Sequence, residues 1–101
     1  MGARLPIDPE ALATVCQRHR IRKLSLFGSR LKGTARPDSD VDLLVEFEPG
    51  SGTTLFDMAR IEIELSELTG GHKVDLRTAG DLSRYFRDEV VRTAEPQYVA
   101  G

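Results

Sequence analysis

The feature of this chain that most limits its fold is a pair of short strand patterns joined by a connection of about a dozen residues. Ile21 to Phe27 is β-branched and apolar with interleaved polar residues, and Asp40 to Phe47 alternates in a similar way. The connection is rich in turn formers and too irregular for a full crossover helix, so we expect the two strands to run antiparallel. The end of the first strand, Gly28-Ser29, then lies close to the start of the second.

The other predicted elements are a capped helix, a second capped helix, a strand and a closing helix, over residues 8–18, 53–69, 72–78 and 82–93, respectively. Asp8 caps the first helix and Thr53 or Thr54 the second, which Gly70-Gly71 end. This order predicts an α/β (α+β) fold, with a small mixed sheet packed against helices. The length predicts one domain over residues 1–101.

The second predicted helix is apolar on two sides. One stripe at helical spacing consists of Met58, Ile61, Leu65 and Leu68, and the other of Phe56, Ala59 and Ile63. The first stripe is expected to pack on the sheet. A second stripe left exposed would be a liability, so we expect it to contact the closing helix or a partner.

Composition and charge narrow the classes of function. The chain has 14 basic and 16 acidic residues, a net charge of -2, and so lacks the positive field with which dedicated nucleic-acid binders neutralise phosphates. Its single cysteine, Cys16, cannot form an internal disulfide, and no segment resembles a signal peptide or a membrane span. We therefore expect a cytoplasmic protein that binds neither membranes nor polynucleotides strongly.

Three aspartates are the candidate catalytic and metal-binding residues. Asp40 and Asp42 are two residues apart in a predicted strand, so their carboxylates leave the same face and can share a cation. Asp75 lies between Val74 and Leu76, which should face the core and turn Asp75 outward. Hard Mg²⁺ prefers oxygen ligands and relieves repulsion between carboxylates. Three carboxylates on adjacent strands suit a two-metal site for phosphoryl or nucleotidyl transfer.

A candidate phosphate-binding segment precedes these acids. Gly28 lets the backbone approach a phosphate closely, and Ser29 offers a hydroxyl and an N–H at the start of a possible helical turn. Gly28-Ser29 is therefore predicted to bind a triphosphate. Lys73 and Arg77 flank Asp75 on its own face, where they either contact the nucleotide or act on the carboxylate through their charge.

Residues 27–47, FGSRLKGTARPDSDVDLLVEF, resemble the signature of the polymerase-β-type nucleotidyltransferases. That signature is Gly-Ser, a spacer of similar length, Asp-x-Asp and a third acid on a later strand. The short length and the run GTARPDSDVDLLV are most similar to the minimal nucleotidyltransferases, which include the antitoxins paired with HEPN-domain toxins.

The resemblance implies two sets of site residues. The catalytic, Mg²⁺-binding acids are Asp40, Asp42 and Asp75. The nucleotide-binding residues are Gly28, Ser29 and Lys32, where Leu31-Lys32 replaces the Ala-Arg of many relatives and keeps a cation.

The function that the resemblance favours is transfer of AMP from ATP to a partner hydroxyl, with two Mg²⁺ ions and release of pyrophosphate. The partner would be a HEPN-type toxin, because larger relatives bind their acceptors with extra domains for which this chain has no residues. Two alternatives stay open: a non-catalytic antitoxin that acts by occlusion, and a homodimeric small-molecule nucleotidyltransferase. Retention of all three aspartates favours the enzyme over the occluding antitoxin.

Overall fold

A four-stranded sheet in the order β3-β2-β1-β4 forms the centre of the fold. The computed structural model describes residues 7–28 and 40–100. The strands in chain order are β1 (Ile21–Phe27), β2 (Val41–Phe47), β3 (Val74–Arg77) and β4 (Glu95–Val99). β1 pairs antiparallel with both β2 and β4, whereas β2 and β3 are parallel. The predicted antiparallel pair and the mixed sheet are confirmed.

Within the described residues, the sheet is accompanied by three α-helices and a short 3₁₀ turn. Their bounds are α1 (Pro9–Arg18), α2 (Leu55–Leu68), the 3₁₀ turn (Ala79–Asp81) and α3 (Arg87–Thr93). Asp8 caps α1 by accepting the backbone N–H of Ala11, and Thr54 caps α2 in a reciprocal capping box with Asp57. Both caps and both helices agree with the sequence prediction.

The C-terminal part of the chain differs from the prediction. The closing helix begins at Arg87 rather than at Leu82, because Thr78 and Asp81 form a capping box that starts only a 3₁₀ turn. Leu82 follows that turn in an extended, buried position. β4 was not predicted; it contains Pro96, and proline is tolerated on the edge strand that β4 forms.

The main core lies on one face of the sheet, against α1 and α2. It consists of Leu12, Val15, Cys16, Ile21, Leu24, Leu26, Val41, Leu43, Val45, Ile61, Leu65, Val74 and Leu76. Burial raises the pKa of the Cys16 thiol to about 12, so this cysteine is a small apolar core residue rather than a nucleophile.

The two apolar stripes of α2 have different surroundings. Ile61 and Leu65 are fully buried in the core, as predicted, whereas Phe56 is 88% and Ile63 62% exposed. The closing helix therefore does not cover the second stripe, and that alternative is wrong. Contact with a partner remains a prediction.

α2 also contacts the outer edge of the sheet through a polar side chain. The Glu62 carboxylate, at Oε2, accepts the backbone N–H of Leu76 in the edge strand β3 at 2.8 Å. This bond satisfies an amide that an edge strand otherwise presents to solvent. Within the described ranges, no helix is long and apolar enough to cross a bilayer.

Candidate active site

Two of the predicted site residues lie side by side on neighbouring strands. Asp42 of β2 and Asp75 of β3 are direct partners in the parallel register. Their neighbours on each strand are buried on the core face, so the two aspartates project from the opposite face. The structure thus confirms the predicted outward direction of Asp75.

Asp40 lies just before β2 and is exposed. It is close enough to Asp42 for its negative charge to raise the pKa of the Asp42 carboxyl. The three aspartates named from the sequence therefore lie at one end of the paired strands and interact through their charges.

The pKa of Asp42 is raised above its ordinary value. Partial burial is the largest cause, followed by repulsion from Asp75 and from Asp40, and the Arg77 guanidinium acts in the opposite direction. Burial and the two neighbouring carboxylates thus disfavour the ionised form of Asp42 in the metal-free protein.

Gly28 is in direct contact with this aspartate. A Cβ atom on Gly28 would lie 2.2 Å from Asp42 Oδ2 and 3.0 Å from Asp42 Cγ, and the residue has a φ of 81°. Both the close approach and the left-handed backbone require glycine. The structure therefore joins the two parts of the sequence motif: the glycine provides the space that the carboxylate occupies.

Arg77 is the cation that contacts this group of carboxylates among the described residues. Its Nε and Nη2 both donate to Asp75 Oδ2, at 3.3 and 3.2 Å. Of the two basic residues predicted to flank Asp75, Arg77 is thus the one in contact with it. Lys73 instead lines an apolar groove of about 400 Å³ beside α2, with Ala59 and Ile63.

The site residues fit a hard divalent cation by their chemistry. Carboxylate oxygens are the ligands that Mg²⁺ prefers, and the repulsion at Asp42 is the electrostatic condition that such an ion relieves. In the described part of the chain, no three His, Cys, Asp or Glu side chains are already arranged around one metal position. Asp75, the register partner of Asp42, is the acid of this group that the Arg77 guanidinium contacts.

The predicted nucleotide-binding residues are described only in part. Gly28 is placed next to Asp42, whereas Ser29 and Lys32 lie outside the described residues, as does the possible helical turn after Gly28. Their roles stay predictions.

A family model described as a nucleotidyltransferase domain matches residues 9–97 of this chain. The protein adenylyltransferase MntA of Thermococcus cleftensis is 36% identical over 77 residues, which cover 75% of this chain and 74% of that protein. A solved structure of a provisionally assigned minimal nucleotidyltransferase is 42% identical, covers 87% of each chain and superposes with a TM-score of 0.72.

A second solved structure, a toxin-antitoxin with AMP-PNP, has a TM-score of 0.71 at 18% identity, covers 93% of this chain and 75% of that one, and shows the common fold. These matches confirm the predicted fold class and enzyme class. The chain belongs to the nucleotidyltransferase domain family.

Proposed function

We propose that this chain is a Mg²⁺-dependent protein adenylyltransferase that transfers AMP from ATP to a hydroxyl of a partner protein and releases pyrophosphate. The partner that we propose is a HEPN-type toxin. Membership of the nucleotidyltransferase family supports the reaction class, and the similar Thermococcus protein is named a protein adenylyltransferase. The toxin-antitoxin structure with AMP-PNP, which shares the fold, supports the kind of partner and of nucleotide.

The observation that carries the proposal is the contact between the two parts of the motif. The Asp42 carboxylate occupies space that only a glycine at position 28 leaves open, and Asp75 is its neighbour on the next strand. A purely structural turn at Gly28 would not need an acidic side chain pressed against it. This arrangement is the one that catalysis at a phosphate needs: fixed acidic ligands beside a close-approach backbone.

In the proposed reaction, Asp40, Asp42 and Asp75 would hold the divalent cations. When bound there, such cations neutralise the phosphate oxygens and polarise the α-phosphorus. Asp75, through its carboxylate, draws the proton from the acceptor hydroxyl, whose oxygen then bonds to the α-phosphorus. The bond from the α-phosphorus to the bridging oxygen breaks, and pyrophosphate leaves.

Gly28 and Asp42 position the reacting groups and do not themselves transfer a proton. Since Gly28 leaves no room between its backbone and Asp42, the carboxylate is fixed at the point where the nucleotide-binding segment begins. Gly28-Ser29 would bind the triphosphate and Lys32 would neutralise part of its charge, which holds the α-phosphorus in line with the acceptor.

The test is transfer of label from α-labelled ATP to a HEPN partner in the presence of Mg²⁺. Asp42→Asn should lower labelling by a factor of about 100 or more, because a metal ligand is lost while the shape of the side chain is kept. The control is Glu46→Gln, on the same strand and face, in a surface ion pair with Arg22. It should label like wild type. Full labelling by Asp42→Asn would overturn the proposal.

Neutralisation by occlusion remains a second candidate, because the exposed stripe of α2 offers an apolar surface to a partner. The same variant separates the two functions. An Asp42→Asn protein that no longer labels the toxin but still neutralises it would favour occlusion. Loss of both activities together would favour modification.

A further inference from the structure

We propose that Arg77 is a positioning residue that holds the Asp75 carboxylate through its two hydrogen bonds and competes with the divalent cation for it, so that Arg77 sets the cation affinity of the site. The inference rests on the proposed function, because it concerns the cation that the reaction needs.

The first argument is the geometry of the Arg77–Asp75 pair. Both guanidinium nitrogens donate to the same oxygen, Oδ2, at 3.3 and 3.2 Å, which are long distances for a charge-assisted bond. The Asp75 side chain is 32% and the Arg77 side chain 47% exposed. A pair of this kind contributes little to stability and is easily exchanged for another partner.

The second argument is the position of Arg77 on the strand. It follows Asp75 by two residues, so both side chains project from the same face of β3. Its register partner on β2 is Leu44, beyond Asp42, and the guanidinium therefore turns back along the strand toward the acids. The guanidinium thus occupies Oδ2 of Asp75, an oxygen that a cation would otherwise use.

The third argument is the charge balance. Arg77 lies on the same face of β3 as Asp75, which is the register partner of Asp42, so its positive charge lies beside the proposed cation ligands. Among the described residues, it is the positive charge in contact with these carboxylates. A divalent cation that enters the site must break the Arg77–Asp75 bonds and also meet the repulsion of the guanidinium, and both effects lower its affinity.

The experiment measures binding of Mn²⁺ alone to the full chain by electron paramagnetic resonance, without nucleotide. Arg77→Met should bind Mn²⁺ on the order of tenfold more tightly than wild type, because a nearby positive charge is removed and Asp75 is released. Arg77→Lys keeps the positive charge but loses the planar guanidinium. Its Mn²⁺ affinity should therefore lie between that of wild type and that of Arg77→Met.

Arg22→Met is the matched control. It removes another arginine from the same sheet, in an exposed pair with Glu46 whose distance is 2.9 Å. Glu46 lies four residues after Asp42 on β2, about 13 Å along the strand, where salt screens the charge. Its Mn²⁺ affinity should equal that of wild type, which separates the position of Arg77 from the mere loss of a positive charge.

A second measurement distinguishes competition from a purely structural ion pair. Arg77→Met should melt below wild type without metal, and the difference should disappear or reverse at saturating Mn²⁺. A structural pair would cost the same stability in both conditions.

Equal or weaker Mn²⁺ binding by Arg77→Met would overturn the inference, and the proposed function would survive if Asp42→Asn still abolished labelling. Absence of Mn²⁺ binding by wild type and all variants would also overturn the inference, whereas the proposed function is overturned only by the labelling test.

Discussion

Two groups of charged side chains in this molecule differ in how their charges are balanced. We call them the paired cluster, which consists of Arg18, His19 and Glu64, and the acidic cluster, which consists of Asp40, Asp42 and Asp75. In the paired cluster, the Glu64 carboxylate of α2 contacts Arg18, and its second oxygen accepts a hydrogen bond from His19 at 2.5 Å. In the acidic cluster, Asp40, Asp42 and Asp75 lie together, and among the described residues the guanidinium that contacts them is that of Arg77, through Asp75.

The difference separates charges that hold the fold together from charges that we propose take part in catalysis. Glu64 joins α1 to α2, and each of its oxygens has a cationic or hydrogen-bonding partner. The acidic cluster keeps its carboxylates under mutual repulsion, which raises the pKa of Asp42 and costs stability in the metal-free protein. Groups whose ionisation the fold disfavours are typical of functional sites.

The largest expected effect breaks the geometry of the acidic cluster without changing any charge. Gly28→Ala puts a Cβ atom 2.2 Å from Asp42 Oδ2, so the carboxylate must move. We expect partner labelling to fall about 100-fold, since small displacements of a catalytic group have effects of this size. Gly50→Ala is the control, because Gly50 has a φ of 77° and nothing lies within 4 Å of its Cβ position. Equal labelling by both variants would contradict the prediction.

The second prediction removes the central charge of the paired cluster. Glu64→Gln should lower the free energy of unfolding by about 1 kcal/mol, because Arg18 and half-buried His19 lose a charged acceptor. Urea denaturation measures the effect, and Glu67→Gln, an exposed neighbour on α2, should leave stability unchanged. If the two variants are equally stable, Glu64 does not join the helices as described.

The third prediction has the opposite sign. Asp42→Asn without metal should raise the free energy of unfolding by a few tenths of a kcal/mol at neutral pH, because solvent screens the repulsion that it removes.

Since the folded-state pKa of Asp42 is raised, the folded protein binds more protons than the unfolded chain between the two pKa values. The stability advantage of Asp42→Asn over wild type should therefore shrink as pH falls through the folded-state pKa, and should vanish below the ordinary value. Denaturation curves at a series of pH values measure it. An advantage that grows toward acid pH would contradict the assignment.

The last prediction extends the comparison to apolar side chains, and its main variant, Phe56→Asp, should have the smallest effect on the isolated protein. Phe56→Asp should leave the melting temperature of the isolated protein unchanged, because Phe56 is 88% exposed. Ile61→Ala on the buried stripe should cost about 2–4 kcal/mol. The Phe56 variant should instead weaken the complex with a partner, which a pull-down with the HEPN protein would measure. A stable complex and an unchanged melting temperature together would remove any role for the exposed stripe.

The sequence alone predicted how β1 and β2 pair and which way Asp75 faces. The short, irregular connection predicted antiparallel β1 and β2, and the alternation around Asp75 predicted its outward direction. Both depend on local pattern and strand geometry. The register of β3 against β2, which makes Asp42 and Asp75 neighbours, depends on the packing of α2 and could not be deduced from spacing.

Contacts between distant segments were beyond the sequence analysis. His19 and Glu64 are separated by 45 positions, and nothing in either local pattern indicates the pair. The choice of Arg77 rather than Lys73 as the partner of Asp75 depends on side-chain direction. β4 was not predicted, and its sequence does not settle the matter locally, because the cost of Pro96 depends on whether the strand lies at an edge.

The bond from Leu76 to Glu62 has a consequence for how copies of this protein meet one another. An incoming strand that tried to extend the sheet at β3 would have to displace the Glu62 carboxylate. The opposite edge, β4, contains Pro96, which has no N–H to donate. Both edge strands of the sheet are thus poorly suited to pairing with a strand of another molecule, which is the usual first step of edge-to-edge aggregation. We therefore expect another protein to contact this one through side chains rather than through backbone hydrogen bonds at a sheet edge.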